Sequence, residues 1–101
     1  MKILITGGNG YIGRNLTRVL SEKFNYNIYS PNHKELDVLN LESLKNINIS
    51  SFDVVIHTAS KGGKRTIPDS EYVIEQNMIM FDNLISILPN STKLIVIGSG
   101  A

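Results

Sequence analysis

The 101-residue sequence predicts an α/β fold with a doubly wound parallel sheet, meaning a sheet that carries helices on both of its faces. Three observations support this prediction. Short runs of β-branched residues alternate with segments of helical periodicity, the links between them are short, and the runs are continuously apolar. Continuous apolar runs are typical of parallel strands, because both faces of such strands are buried.

Residues 1 to 38 are predicted to form three strands and one helix. Lys2 to Thr6 is an apolar run that stops at a glycine, which is typical of a buried strand. The helix covers about residues 11 to 23, where apolar residues recur at i, i+4, i+7 and i+8. A short strand follows over 26–30, before a proline, and a third, very short strand is predicted over 36–38.

The rest of the chain, from Asn40 on, is predicted to form two helices and two strands. Asn40 is a suitable N-cap for a helix that carries Leu41, Leu44 and Ile47. A strand over 53–57, a long helix over 68–88 bounded by prolines, and a last strand over 93–97 complete the alternation. The sequence stops directly after that strand, so we expect the N-terminal part of a longer domain. The alternative is a complete miniature domain.

The composition excludes several function classes. A formal net charge of +1 is too small to argue for a nucleic-acid or membrane partner. No run approaches the ~20 apolar residues of a membrane span. The lack of cysteine excludes disulfides and thiolate metal sites, and two histidines give little support to any metal site. We therefore expect a cytoplasmic protein without a bound metal.

The segment TGGNGYIG, residues 6–13, joins the first strand to the first helix and fits two glycine patterns. G-x-G-x-x-G uses positions 8, 10 and 13, whereas G-x-x-G-x-x-G uses positions 7, 10 and 13. Either pattern exposes backbone N–H groups and the positive end of the helix dipole to a phosphate. A P-loop is disfavoured because Arg14-Asn15 replaces the required lysine and hydroxyl residue. We predict a Rossmann-type dinucleotide site, the alternative being a glycine turn without a ligand.

The same segment resembles the T-G-x-x-G-x-x-G opening of the extended short-chain dehydrogenase/reductase family. Members of this family are NAD(P)-dependent epimerases, dehydratases and reductases that act mostly on nucleotide sugars. The resemblance covers the whole chain and implies that the glycine loop holds the pyrophosphate of the cofactor. The cofactor-binding residues that it implies in this loop are Gly7, Gly10, Tyr11, Ile12 and Gly13. Gly8 is then interpreted as a flexible extra glycine.

Three later segments extend the resemblance and favour the glycine pattern at positions 7, 10 and 13. Asp37 and Val38 resemble the acidic-aliphatic pair that holds the adenine of the cofactor. Asn77 resembles a helical asparagine that contacts the cofactor. The run after the fourth predicted strand, which lines the cofactor in the family, comprises Thr58, Ala59 and Ser60.

The family transfers a proton through a Tyr-x-x-x-Lys pair, and no tyrosine of this sequence has a lysine four positions later. The resemblance implies an enzyme, but we expect the 101-residue chain alone to be inactive. The alternative is a non-catalytic NAD(P)-binding sensor or regulatory domain. Ser99 resembles the catalytic Ser or Thr that orients the substrate oxygen, the alternative being an ordinary loop serine. His57 is interpreted as a satisfied polar group at a strand end rather than as a general base.

Within the family, three segments are similar to the GDP-L-fucose synthases, which epimerise and then reduce GDP-4-keto-6-deoxymannose. These segments are residues 34–40, 59–63 and 75–78. The expected partner is therefore a nucleotide-sugar substrate.

The cofactor is predicted to be NADP, with NAD as the alternative. Rossmann sites for NAD usually carry an acidic residue at the end of the second strand, but here that position falls near Ser30. His33 and Lys34 follow, and a cation there suits the 2′-phosphate of NADP. The alternative is that both are ordinary solvated loop residues.

The long helix over 68–88 carries a broad apolar arc. Its residues are Ile74, Met78, Phe81, Ile85 and Leu88, widened by Met80, Leu84 and Ile87. Family members dimerise through a helix in this position, so the resemblance implies a homodimer. The alternative is a surface that a missing half of the domain covers.

Overall fold

The computed structural model describes residues 1–8, 10–32, 34–58 and 71–97. Within these residues the chain forms four strands, three α-helices and one 3-10 turn. In chain order they are β1 (Lys2–Thr6), α1 (Tyr11–Phe24), β2 (Asn27–Tyr29), α2 (Leu41–Lys45), the 3-10 turn (Ile49–Ser51), β3 (Val54–His57), α3 (Glu71–Ile87) and β4 (Lys93–Val96).

The four strands form one parallel sheet in the order β2-β1-β3-β4. The chain therefore starts near the middle of the sheet, adds β2 on one side of β1, and returns to add β3 on the other side. Thr6 at the end of β1 pairs with His57 at the end of β3. In open α/β sheets, ligands bind beyond the carboxyl ends of the strands where the strand order reverses. Here that point lies between β1 and β3.

The two faces of the sheet bury different side chains, because successive residues of a strand point to opposite faces. On one face, Leu4 and Val55 pack with Leu44 of α2 and Leu84 of α3, and all four are 0% exposed. On the opposite face, the buried residues and the α1 side chains against them are Ile3, Ile5, Ile56, Leu16 and Leu20. Helices thus cover both faces, which confirms the predicted doubly wound, Rossmann-like α/β fold.

The third strand predicted over 36–38 is wrong, because this segment forms a turn. Asn40 N–H donates to the carbonyl of Asp37 at 3.0 Å, and Leu39 N–H donates to Asp37 Oδ1 at 3.1 Å. Leu36 and Val38 are nevertheless buried in the core, at 3% and 4% exposure. Two apolar residues spaced by two resemble a strand in the sequence, but the aspartate between them caps a turn instead.

The predicted start of α2 is confirmed, and its end differs. Asn40 Oδ1 accepts the N–H of Glu42 at 3.0 Å, which is the expected N-cap bond. The helix ends at Lys45, so Ile47 lies beyond it, although its side chain still packs against the core. The start predicted for the long helix at residue 68 lies outside the described residues.

The apolar arc of α3 divides into two surfaces. Met80 and Leu84 are buried in the core, whereas Met78 and Ile85 are 62% and 52% exposed. Ile74 and Phe81 are exposed on the same helix. Packing on the sheet therefore accounts for only part of the arc, and a homodimer through this helix stays a prediction.

In the part of the chain that the structure describes, no helix combines the length and the apolar character needed to span a membrane.

Candidate cofactor-binding site

The turn between β1 and α1 is set by two glycines. Gly7 has a φ of 75°, in the left-handed region that favours glycine. Gly10 N–H donates to the Gly7 carbonyl at 3.0 Å and closes the turn. Gly10 is the N-cap of α1, and Arg14 N–H donates to its carbonyl at 3.0 Å. The helix therefore begins directly at the carboxyl edge of the sheet.

The N-terminus of α1 is suited to an anion. Its first turn contains no acidic residue, and no side chain among the described residues caps it. The positive end of the helix dipole is thus not neutralised by a carboxylate of its own first turn. Tyr11 and Ile12 lie in this turn with 78% and 37% of their surfaces exposed. A phosphate at this position would meet both the dipole and the first backbone N–H groups of the helix.

Backbone carbonyl groups lie so close to Gly8 and Gly13 that neither position has room for a side chain. A Cβ at Gly13 would overlap the Gly7 carbonyl, with the carbonyl carbon at 2.9 Å. A Cβ at Gly8 would overlap the Ser30 carbonyl, with the carbonyl carbon at 2.8 Å. At Gly10 it would meet only the Gly7 carbonyl oxygen, at 3.4 Å.

The interpretation of Gly8 as a flexible extra glycine is therefore wrong. Gly8 is buried, and its N–H donates to the Pro31 carbonyl at 3.4 Å. The glycine loop lies against the segment that follows β2, and a side chain at this position has no room. The G-x-G-x-x-G pattern at positions 8, 10 and 13 includes Gly8 and so indicated that a glycine is needed there. The other pattern includes Gly7, whose φ is positive, so each glycine pattern describes part of the loop.

A network of hydrogen bonds joins the carboxyl ends of β1 and β3. Thr6 Oγ1 lies 2.7 Å from His57 Nδ1, and both residues are buried. Thr58 N–H donates to Thr6 Oγ1 at 3.2 Å, and Thr58 Oγ1 donates to the Thr6 carbonyl at 2.6 Å. The interpretation of His57 as a satisfied polar group is thus confirmed, and these contacts hold the two strand ends together directly beneath the glycine loop.

Stability should depend on pH through His57. Burial lowers the pKa of His57 from its ordinary 6.5, so the folded protein favours the neutral imidazole. The unfolded chain binds the proton more readily, so this contribution to stability is complete above about pH 6.5 and decreases as the pH falls through the lower folded pKa. We expect urea unfolding between pH 5 and 7.5 to show a smaller pH dependence in His57→Asn than in the wild type. A matched His33→Asn variant removes the other histidine, and equal slopes for His57→Asn and wild type would contradict the assignment.

Asp37 and Val38, the predicted adenine pair, have different surroundings. Asp37 is exposed, and its N–H donates to Ser43 Oγ at 3.1 Å. Val38 is 4% exposed, and its carbonyl accepts a 2.9 Å bond from Asn83 Nδ2. The group that this pair presents to a ligand is therefore the Asp37 carboxylate, while Val38 anchors the segment in the core.

The segment after β2 forms a capping box that sequence reasoning missed. Asn32 Oδ1 accepts the N–H groups of Lys34 and Glu35 at 2.9 and 3.0 Å, and Glu35 Oε1 accepts the N–H of Asn32 at 3.2 Å. The sequence signal was Asn-x-x-Glu at positions 32 to 35. The box engages the carboxylate of Glu35 in this turn and leaves Lys34 exposed.

The remaining predicted residues are only partly placed. Thr58 is half-buried beside Thr6, and Asn77 is half-buried on α3. The residues outside the described ranges are His33, Ala59, Ser60 and Ser99. Among residues 1–8, 10–32, 34–58 and 71–97, no cluster of three or more acidic or histidine side chains is arranged to hold a metal ion.

Two curated proteins that are similar to this chain are both named for GDP sugars. A GDP-L-fucose synthase of Azorhizobium caulinodans is 33% identical over 87 residues, which are 83% of this chain and 28% of that protein. A GDP-6-deoxy-D-talose 4-dehydrogenase of Aggregatibacter actinomycetemcomitans is 36% identical over 62 residues, which are 59% of this chain and 21% of that protein. The chain thus spans under a third of either curated relative.

The fold also matches a solved structure of a GDP-mannoheptose C4 reductase from Campylobacter jejuni with NADP bound. The TM-score is 0.72 at 25% sequence identity, and the match covers 96% of this chain and 30% of the reductase. A model of the NAD dependent epimerase/dehydratase family matches residues 3–101. The fold, the glycine turn at the strand-order reversal and this nearly complete match agree, and the chain belongs to the NAD dependent epimerase/dehydratase family.

Proposed function

We propose that this chain is the NADP-binding part of an enzyme that epimerises, dehydrates or reduces a GDP sugar. The observation that carries the proposal is the Gly7–Gly10 turn, which starts α1 at the carboxyl edge between β1 and β3. Both curated relatives are named for GDP sugars, one as its substrate and one as its product, which supports the choice of sugar nucleotide.

The chain's own residues would bind and orient the cofactor. Gly10, Tyr11 and Ile12 would meet the pyrophosphate at the start of α1, and the Asp37 carboxylate would accept a hydrogen bond from the adenosine. When bound, the nicotinamide would supply or accept the hydride. Ser99 would orient the substrate oxygen, and a Tyr-x-x-x-Lys pair in residues that follow Ala101 in a longer protein would move the proton.

The segment after β2 supports NADP over NAD. Glu35 is the first acidic residue after β2, but it lies six positions beyond Tyr29 in a separate turn, so no acidic residue stands at the strand end where an NAD-binding ribose contact is usually made. Lys34 is exposed in this turn, and β2, which precedes the turn, contains no acidic residue that would repel a 2′-phosphate. The C. jejuni reductase holds NADP, which agrees with this preference.

Replacing Lys34 should weaken NADPH binding selectively. We expect Lys34→Ala to lower the affinity for NADPH about tenfold, because a charge-assisted bond to the 2′-phosphate is worth about 1.5 kcal/mol or more. The affinity for NADH, which lacks this phosphate, should stay within about twofold. Fluorescence titration measures both, with Lys23→Ala at the exposed end of α1 as the matched control. An equal loss for the two cofactors would contradict the assignment.

The experiment that tests the enzymatic proposal uses the complete gene product. Residues after Ala101 are read for Tyr-x-x-x-Lys, and NADPH oxidation is followed by absorbance with GDP-4-keto-6-deoxymannose. Oxidation that depends on the sugar supports the proposal. If the cofactor binds but the complete protein lacks the pair, consumes no NADPH and converts the GDP sugar to no other product, the protein is a dinucleotide sensor and the proposed reaction is wrong.

A further inference from the structure

The side chain of Asn83 connects α3 to the turn at residues 37–40. Its Nδ2 donates to the Val38 carbonyl at 2.9 Å, between residues 45 positions apart in the sequence. Asn83 is half-buried, whereas Val38 is nearly fully buried in the main core. A carbonyl in such a position needs a donor, and the bond supplies it.

This contact differs from the other hydrogen bonds of the turn. Asp37 N–H donates to Ser43 Oγ, Leu39 N–H donates to Asp37 Oδ1, and Asn40 N–H donates to the Asp37 carbonyl. These bonds run between residues at most six positions apart, so they define the shape of the turn but not its position relative to the sheet. The bond from α3 reaches across the core, and it acts on the residue next to Asp37.

We propose that Asn83 is a positioning residue for the adenine end of the cofactor. It fixes the Val38 carbonyl, and through this peptide it sets the place of the exposed Asp37 carboxylate. The inference rests on the proposed NADP-binding function and deepens it, because it assigns to α3 control over one half of the dinucleotide site. The half of the site that would hold the nicotinamide should not depend on this bond.

The chemistry of the asparagine amide suits this role. An NH₂ group can donate to a carbonyl, whereas a carboxylate of the same shape can only accept. Asn83→Asp would therefore place a negative oxygen against the Val38 carbonyl and displace the turn. Asn83→Ala removes the donor without adding a charge, and it is the second variant in case Asn83→Asp does not fold.

The test separates the two halves of the cofactor. Affinities of the full chain for adenosine 2′,5′-bisphosphate and for reduced nicotinamide mononucleotide are measured by titration calorimetry. We expect Asn83→Asp and Asn83→Ala to bind the adenosine bisphosphate about tenfold more weakly, by analogy with the loss of one buried hydrogen bond, and the mononucleotide unchanged. The matched control is Ser86→Ala, which removes a 2.8 Å bond to the Asn83 carbonyl within α3 and should change neither affinity.

Two results would overturn the inference. Wild-type affinity for adenosine bisphosphate in both Asn83 variants would show that the bond does not position the adenine site. An equal loss for both fragments would show a general structural role. If the wild-type protein binds neither NADPH nor adenosine bisphosphate, the proposed function itself is wrong, and this outcome is distinct from a failure confined to the variants.

Discussion

Alanine at Gly8 or Gly13 should destabilise the protein by about 3 kcal/mol and remove cofactor binding, whereas alanine at Gly10 should weaken cofactor binding alone. The value is the upper end of the usual cost of overpacking, because each new methyl group would overlap a backbone carbonyl rather than a flexible side chain. Relief at Gly8 requires the loop to move away from Ser30, and relief at Gly13 requires α1 to move away from Gly7.

The Gly10 variant provides the matched control. A methyl group there meets only the Gly7 carbonyl oxygen at 3.4 Å, so folding is nearly unaffected. The same methyl group would occupy the space through which a pyrophosphate approaches the start of α1. Urea unfolding and NADPH titration of the three variants measure the two effects separately. Wild-type stability in Gly8→Ala would contradict the close packing of the loop on the segment after β2.

The second large effect is expected for Thr6→Val. Valine has nearly the shape of threonine but has no hydroxyl, so His57 Nδ1 would lose its partner in a buried site. Leaving such a group unpaired costs about 2 kcal/mol. Thr58 N–H would keep its weaker contact with the Thr6 carbonyl at 3.3 Å, so its share of the loss is small. The free energy of unfolding in urea at pH 7.5 measures the change.

Thr17→Val is the control for this substitution. Thr17 Oγ1 donates to the Gly13 carbonyl at 2.7 Å within α1, and this local helical bond contributes little to stability. We expect Thr17→Val to change the free energy of unfolding by less than about 0.5 kcal/mol. An equal effect of the two variants would contradict the assignment, because the contact between Thr6 and His57 would then contribute no more to the free energy of unfolding than a local helical bond.

The sequence predicted the alternation of strands and helices because the relevant signals are local. Continuous apolar runs marked β1 and β3, and Asn40 marked the start of α2. The turn over 36–38 was not predicted, because Leu36 and Val38 are apolar and spaced as in a strand. What decides their structure is the hydrogen bonding of Asp37 and the contact with Asn83, which lies 45 positions beyond Val38.

The candidate site shows the same limit. The glycine loop was recognised from its spacing and from its place between a predicted strand and a predicted helix, but the need for Gly8 depends on Ser30, which approaches it only in the folded sheet. The capping box of Asn32 and Glu35 was visible as a short pattern, yet its meaning for cofactor choice depends on where β2 ends. Contacts between segments distant in the sequence therefore account for the parts of the site that pattern reading missed.

The central claim is that the β1–α1 turn binds the pyrophosphate of NADP. It is tested most directly by titrating the wild-type protein and Gly10→Ala with NADPH and NADH, and following the nicotinamide fluorescence. The account predicts saturable binding with a preference for NADPH in the wild type, and a loss of affinity for both cofactors in a Gly10→Ala variant that remains as stable as the wild type. Equal affinities of wild type and Gly10→Ala for NADPH would contradict it.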